Sequence, residues 1–275
     1  MGAAIVHAAC RGSAAAGGIV VADPEAGRRA SLERDCGRAV RTVASACESV
    51  AAGGAGAMVI LAVKPQVFSR VAGELKDAAV LREQLIVSVM AGVRTGTIDE
   101  RLDARPTSRW RVARAMPNLP LACGEGMTAV CAGPRATPED LDDVVALFSL
   151  GGRVVRIGED LFDAFTALAG SGPAYVLYLA EAMERAAVDM GFSPVEARTI
   201  VRQTIAGAAA LQRDEPGSTD AAGLGVLSPA EFRARVTSRG GTTEAAIRVL
   251  DEAGVMGTIV RAILAGRDRG RQLGD

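Results

Sequence analysis

Lysine and histidine are almost missing from this chain. Lysine occurs only at Lys64 and Lys76 and histidine only at His7, so 29 of the 31 basic residues are arginine. The last 199 residues contain neither Lys nor His, which withholds the usual general bases from that part of the chain. An arginine excess of this kind reads as coding bias, so a single arginine carries little weight as a functional signal. Charge of one sign is also lacking: 31 Lys plus Arg stand against 32 Asp plus Glu, and nothing marks an electrostatic footprint for nucleic acid or an anionic membrane. Five cysteines, an odd number with no Cys-x-x-Cys and no His cluster, exclude a disulfide framework and a metal site and point to reduced thiols in a cytoplasmic setting. No apolar run reaches membrane-spanning length. Gly2 to Cys10 lacks the basic stretch of a signal peptide, and Val6 stands where a myristoylation signal wants Ser or Thr. His7 sits in an apolar segment and reads as a packing residue.

What is present is a chain of 275 residues, 49% hydrophobic and 23% charged, enough for one large or two ordinary globular domains that act on small molecules. From the N-terminus to about Gly158, short β-branched runs alternate with helical stretches, the pattern of a doubly wound parallel α/β sheet. Strands are expected at Ile19–Ala22, Ala39–Thr42, Met58–Val63, Leu85–Met90, Arg111–Met116, Gly126–Cys131 and Arg153–Ile157. Helices are expected at Pro24–Asp35, Val67–Asp77 and Pro138–Leu150, the last opened by a cap and a proline at Thr137-Pro138-Glu139-Asp140. Beyond Glu159 the strand signals stop and apolar residues recur every three to four positions. The expected division is therefore residues 1–158 as a dinucleotide-binding domain and 159–275 as a helical substrate-binding and dimerisation domain. Tyr175, Leu179, Met183, Ala186 and Met190 form one stripe, the kind usually buried as core. Ser193-Pro194-x-Glu196 and Ser228-Pro229-x-Glu231 are capping boxes. Residues 213–226 read as a loop and as the best candidate for a mobile segment. The helix from Gly172 to Met190 begins apolar on more than one face, more than a free surface helix needs, so a homodimer is expected.

Two adjacent glycines and four hydroxyls crowd into Val236-Thr237-Ser238-Arg239-Gly240-Gly241-Thr242-Thr243. Glycine lets the backbone approach a ligand closely. A helix starting near Thr243 would aim its unpaired N–H groups and positive dipole end into the same space. A carboxylate suits such a place. The same residues also read as a plain glycine turn with Thr242 or Thr243 as N-cap.

A dinucleotide-binding half normally opens with a strand, a Gly-x-Gly-x-x-Gly turn and a helix. Here Met1-Gly2-Ala3-Ala4-Ile5-Val6 reads as the last glycine of that turn and the helix it starts. Asp23, 21 residues after Gly2, then falls where the ribose-binding acid belongs. The expectation is that the coding sequence upstream supplies an apolar strand ending in Gly-x-Gly-x.

Six segments in order across nearly the whole chain together resemble the pyrroline-5-carboxylate reductase family: Met1-Gly2-x-Ala4, Ala62-Val63-Lys64-Pro65, Ala91-Gly92-Val93, Arg114-Ala115-Met116-Pro117-Asn118, Gly170-Ser171-Gly172-Pro173-Ala174-Tyr175, and Val236 to Thr243. The resemblance implies a Rossmann-type domain followed by an all-helical dimerising domain. It implies a nicotinamide cofactor, NADPH with NADH as the alternative, held by Gly2, Asp23, Ala62, Val63, Lys64, Pro65, Ala91, Gly92 and Asn118. It implies that Ser238, Gly240, Gly241, Thr242 and Thr243 grip the carboxylate and ring nitrogen of the substrate, with Thr243 the catalytic contact, and that dimers assemble into larger rings. Arg239 stands where the family usually has Pro, and Ala169 replaces a more usual Ser. Reducing a cyclic imine needs no strong protein acid, because the iminium takes its proton from water before hydride arrives. Oxidising an alcohol needs a base on the O–H, so the missing Lys and His weigh against a hydroxy-acid dehydrogenase of the 3-hydroxyisobutyrate type. A non-catalytic nucleotide-binding protein is the remaining alternative.

Overall fold

The computed structural model describes residues 1–12, 18–54, 56–77, 83–102, 110–212 and 228–274; the segment 213–226 expected to be mobile lies outside them. The chain divides into two compact units, one of Met1–Pro173 with Leu264–Asp275 and one of Ala174–Ile263. Strands end at Arg156, where the sequence pattern changes. Compactness divides later, because Phe162 is fully buried against Met116, Ala129 and Cys131 and so keeps the residues after the last strand with the sheet.

In the first unit, α1 (Gly2–Arg11) precedes β1 (Ile19–Ala22), α2 (Ala26–Cys36), β2 (Val40–Val43), α3 (Ala46–Gly53), β3 (Met58–Leu61), α4 (Pro65–Asp77), β4 (Leu85–Ser88), α5 (Thr95–Arg101), β5 (Arg111–Pro117), β6 (Gly126–Ala132), α6 (Pro138–Ser149), β7 (Gly152–Arg156) and the short α7 (Phe162–Phe165). Parallel β1 and β2 form one sheet, and β3 to β7 form a second in sequence order. Two features depart from a single parallel sheet. The strands divide into two sheets between β2 and β3, and β5 pairs with β6 antiparallel. The connection 118–125 is too short for a parallel crossover, which takes about a dozen residues or more.

Helix α1 serves both sheets. Its Ile5 and Ala8 pack with Leu85, Val87, Ala113 and Ala115 of the larger sheet, whereas Val6 packs with Leu32 and Val40 beside the smaller. On the opposite face Ile86 and Val112 are covered by Phe68 and Ala72 of α4 and Ile98 of α5. The strands buried on both faces read as near-continuous apolar runs for this reason. His7 lies 3.6 Å from Asp35.

The second unit is helical: α8 (Gly172–Asp189) beyond its first two residues, α9 (Pro194–Ala210), α10 (Pro229–Arg235), α11 (Thr242–Glu252) and α12 (Val255–Gly274) as far as Ile263. Both expected capping boxes form, Ser193 with Glu196 and Ser228 with Glu231. The α8 stripe does not become core. Leu179 and Met190 are 56% and 72% exposed, and among the described apolar residues of this unit only Ala187, Ala197 and Val201 are buried. The stripe is wider than the chain's own helices cover.

Candidate active site

At the C-terminal ends of β3 and β4 three short segments meet, the edge where open α/β sheets take ligands. Leu61 and Ser88 are partners in register, and the Val89 amide donates to the Leu61 carbonyl at 3.1 Å. Ala62 to Lys64 follow β3 as a turn that Pro65 closes by opening α4. After β4 come Ala91 and Gly92, the latter at φ 73°, a region that L side chains rarely enter. The start of α1 lies against the first of these turns: a Cβ on Gly2 would stand 3.3 Å from the Ala62 Cβ. No side chain caps α1 and no acid occupies its first turn, so its leading N–H groups and positive dipole end are left for an anion. The donors and the small side chains fit a pyrophosphate.

Asp23 follows β1 and is already engaged. Its Oδ1 accepts from the Glu25 amide at 2.8 Å, its backbone carbonyl accepts from Arg29 at 2.7 Å, and Arg28 lies 3.8 Å from Oδ2 while pairing with Glu25 at 2.9 Å. One carboxylate and two guanidinium groups thus share one spot. Asn118 is buried, with its amide donating to the Ala169 carbonyl at 3.0 Å and its oxygen accepting from the Met127 amide at 2.9 Å. Both of its ends brace the protein itself.

In the second unit the turn before α11 closes through the Gly241 amide on the Ser238 carbonyl at 3.0 Å. Gly240 sits at φ 72°, a region that favours glycine, and a Cβ on Gly241 would come within 2.5 Å of Ser238 Oγ and 3.1 Å of the Ser238 carbonyl. The helix begins one residue earlier than expected: Gly241 is the N-cap and no side chain caps it, which leaves the Thr242 and Thr243 hydroxyls free of that duty. The Gly240 amide donates to the Glu244 carboxylate at 2.7 Å. Gly240 and Gly241 line a recess of about 470 Å³ together with Glu244, Ala245 and Arg248. Glu244 and Arg248 were not among the residues expected from sequence, although a Glu three positions after an N-cap is the local pattern for reaching back to the turn.

Residues 159–273 match the family model described as pyrroline-5-carboxylate reductase dimerisation, and residues 1–92 match one described as NADP oxidoreductase, coenzyme F420-dependent. A pyrroline-5-carboxylate reductase of Methanosarcina acetivorans is 37% identical over 79% of this chain and 75% of its own length. The chain belongs to the pyrroline-5-carboxylate reductase family. Another member, from Synechocystis, is 34% identical over 93% of this chain and 88% of its own. The solved structure of a pyrroline-5-carboxylate reductase from Coxiella burnetii superposes with a TM-score of 0.81 at 29% identity, covering 99% of this chain and 94% of that one.

This pyrroline-5-carboxylate reductase family member also carries a buried charged group opposite Ser88 at the end of β4. Arg114 on β5 is 3% exposed in its side chain and lies 3.4 Å from Glu159, with its guanidinium 4.5 Å over the Phe162 ring. Burial pulls Arg114 below its ordinary value and Glu159 opposes that pull. Burial, with the Glu159 charge adding to it, pushes the neighbouring Cys131 thiol up to about 11, so it stays protonated and inert. All five cysteines are free thiols. Among the described residues no helix is long and apolar enough to cross a membrane.

Proposed function

We propose that this chain reduces the cyclic imine pyrroline-5-carboxylate to L-proline with NADPH as hydride donor, the last step of proline biosynthesis. One observation carries the reading beyond family membership: the turn at the start of α11 already holds a carboxylate, that of Glu244, on the Gly240 amide. Ser238, the amides of Gly240 and Gly241, and Thr242 bind the substrate carboxylate in this reading. The Thr243 hydroxyl hydrogen-bonds the ring nitrogen, so positioning and fixed dipoles do most of the work. The nitrogen enters already protonated by water, which agrees with a second half that offers neither Lys nor His.

NADPH, when bound, supplies the hydride. Gly2 with the α1 N-terminus would take its pyrophosphate; Ala62, Val63, Lys64 and Pro65 together with Ala91 and Gly92 would line its path, and Asn118 would act by bracing the β5–β6 connection. Arg28 and Arg29 beside Asp23 favour a 2′-phosphate, hence NADPH over NADH.

The exposed apolar faces of α8 and α9 support a homodimer, and the proposal extends to a ring of dimers acting in the cytoplasm. The near balance of acidic and basic residues speaks for neither nucleic acid nor membrane as a partner. The test is to follow NADPH and NADH absorbance with pyrroline-5-carboxylate and, in parallel, NADP reduction with 3-hydroxyisobutyrate. Oxidation of NADPH by the imine with product L-proline is expected; turnover of the hydroxy acid alone would replace the reading with the dehydrogenase.

A further inference from the structure

The turn from Val89 to Arg94, which carries Ala91 and Gly92, is fixed at its start by the buried Ser88 and at its end by the half-buried Glu159. At its start the Met90 amide donates to Ser88 Oγ at 3.3 Å. At its end one carboxylate does the work twice: Glu159 Oε1 accepts from the Thr95 amide at 2.7 Å and Oε2 accepts from Thr95 Oγ1 at 2.9 Å. Glu159 comes from beyond β7, 64 positions along the chain. Thr95 is 3% exposed and packs close against Gly133, on which a Cβ would stand 3.1 Å from its own. Glu159 is in turn held by Arg114, whose Nη1 reaches Oε1 at 3.4 Å. Arg114 is opposite Ser88 in the β4–β5 register, so both anchors of the turn sit at one level of the sheet. The Arg114 Nε and Nη2 atoms are buried without a hydrogen-bond partner. A guanidinium so poorly provided for is costly to bury unless its one carboxylate partner is needed where it stands.

We propose that Glu159 is a positioning residue for the cofactor: tied to Arg114, it locks Thr95 and with it the Ala91-Gly92 turn in the shape that receives the nicotinamide end of the dinucleotide. The inference rests on the reading of that turn as cofactor-facing. Glu159 touches neither cofactor nor substrate and acts through Thr95. Pre-organisation of a loop lowers the ordering cost of binding, so its loss appears in cofactor affinity and not in the chemical step.

The experiment is a fluorescence titration of NADPH on the full chain, with steady-state kinetics beside it, for Glu159→Gln, Thr95→Val and Gly92→Val. Glu159→Gln should raise the NADPH Kd and KM about fivefold or more and Thr95→Val about threefold. Under saturating NADPH, kcat and the KM for the imine should stay within about twofold of the parent. If Glu159→Gln does not fold, Thr95→Val decides, since it removes one hydrogen bond and leaves the ion pair intact. A role in stability alone would lower Tm while leaving the NADPH Kd of the folded protein unchanged, and that result overturns the proposal. Gly92→Val separates the two levels. Unchanged NADPH binding in Gly92→Val would remove the turn from the cofactor site, whereas lost binding there with normal Kd in the other two variants would sink the Glu159 inference alone.

Discussion

An amide held by a carboxylate of its own chain is set up for exchange with a carboxylate from outside. Glu244 occupies the Gly240 N–H at 2.7 Å, and Arg248, one helical turn on, lines the same recess at the spacing where a Glu and an Arg pair along a helix. If substrate binds here as proposed, it displaces Glu244 from the amide. Glu244→Gln is therefore predicted to lower the KM for pyrroline-5-carboxylate about threefold and to leave the KM for NADPH alone; a raised imine KM would show that Glu244 shapes the turn and does not compete for it. Thr243→Ala is predicted to lower kcat/KM about tenfold or more, the loss of one polar contact of roughly 1–3 kcal/mol, and an unchanged value would remove Thr243 from the reaction. The two glycines were legible in the sequence as a turn, and Gly240 takes the positive φ that favours that residue. The reach of Glu244 was not singled out. Its spacing is also that of an ordinary reach-back at a helix start, and only the coordinates tie its carboxylate to the Gly240 amide. Asn118 was named from sequence by resemblance alone; of its two hydrogen bonds inside the protein, the one to Ala169 reaches a segment 51 positions away.

Among the elements, α6 shows how local chemistry fixes a boundary. Thr137 accepts from the Asp140 amide at 3.2 Å, Asp140 returns a bond to the Thr137 amide at 2.9 Å, and Pro138 opens the helix. Asp140 also receives Arg111 of β5 at 2.7 Å. Burial pushes its carboxyl up, but the Arg111 and Thr137 hydrogen bonds outweigh burial and hold it below the usual carboxylate value. A depressed folded value means that this contribution is complete above the ordinary aspartate pKa and is lost as pH falls through the folded one. Asp140→Asn should accordingly lower stability by about 1–2 kcal/mol at neutral pH. The deficit against the parent should shrink in acid, as followed by urea unfolding at several pH values; a deficit independent of pH would assign the loss to packing. Caps of this kind were readable from four consecutive letters, as at Ser193 and Ser228. Strand pairing was not, because the antiparallel turn of β6 and the division into two sheets between β2 and β3 arise from contacts between strands that no local pattern encodes.

For the whole molecule, what the single chain leaves uncovered is the main fact. In the second unit Leu177, Tyr178 and Val195 are 61%, 77% and 76% exposed, large apolar side chains of the kind that association faces bury. The sequence stripe on α8 announced an apolar face but could not say whether the chain or a second copy covers it. Tyr178→Asp combined with Val195→Asp should shift the protein from dimer toward monomer in analytical ultracentrifugation and lower Tm in a concentration-dependent way; an unchanged sedimentation profile would place the association face elsewhere. The turn from Ser238 to Thr243 is proposed to grip a ring carboxylate so that the C=N bond can be reduced. A crystal structure with NADP and a saturated five-membered-ring carboxylate bound tests this. Expected are the carboxylate on the amides of Gly240 and Gly241, Glu244 displaced from Gly240, and Thr243 Oγ1 beside the ring atom that replaces the nitrogen. A ring acid bound elsewhere, with Glu244 still on the Gly240 amide, would contradict it.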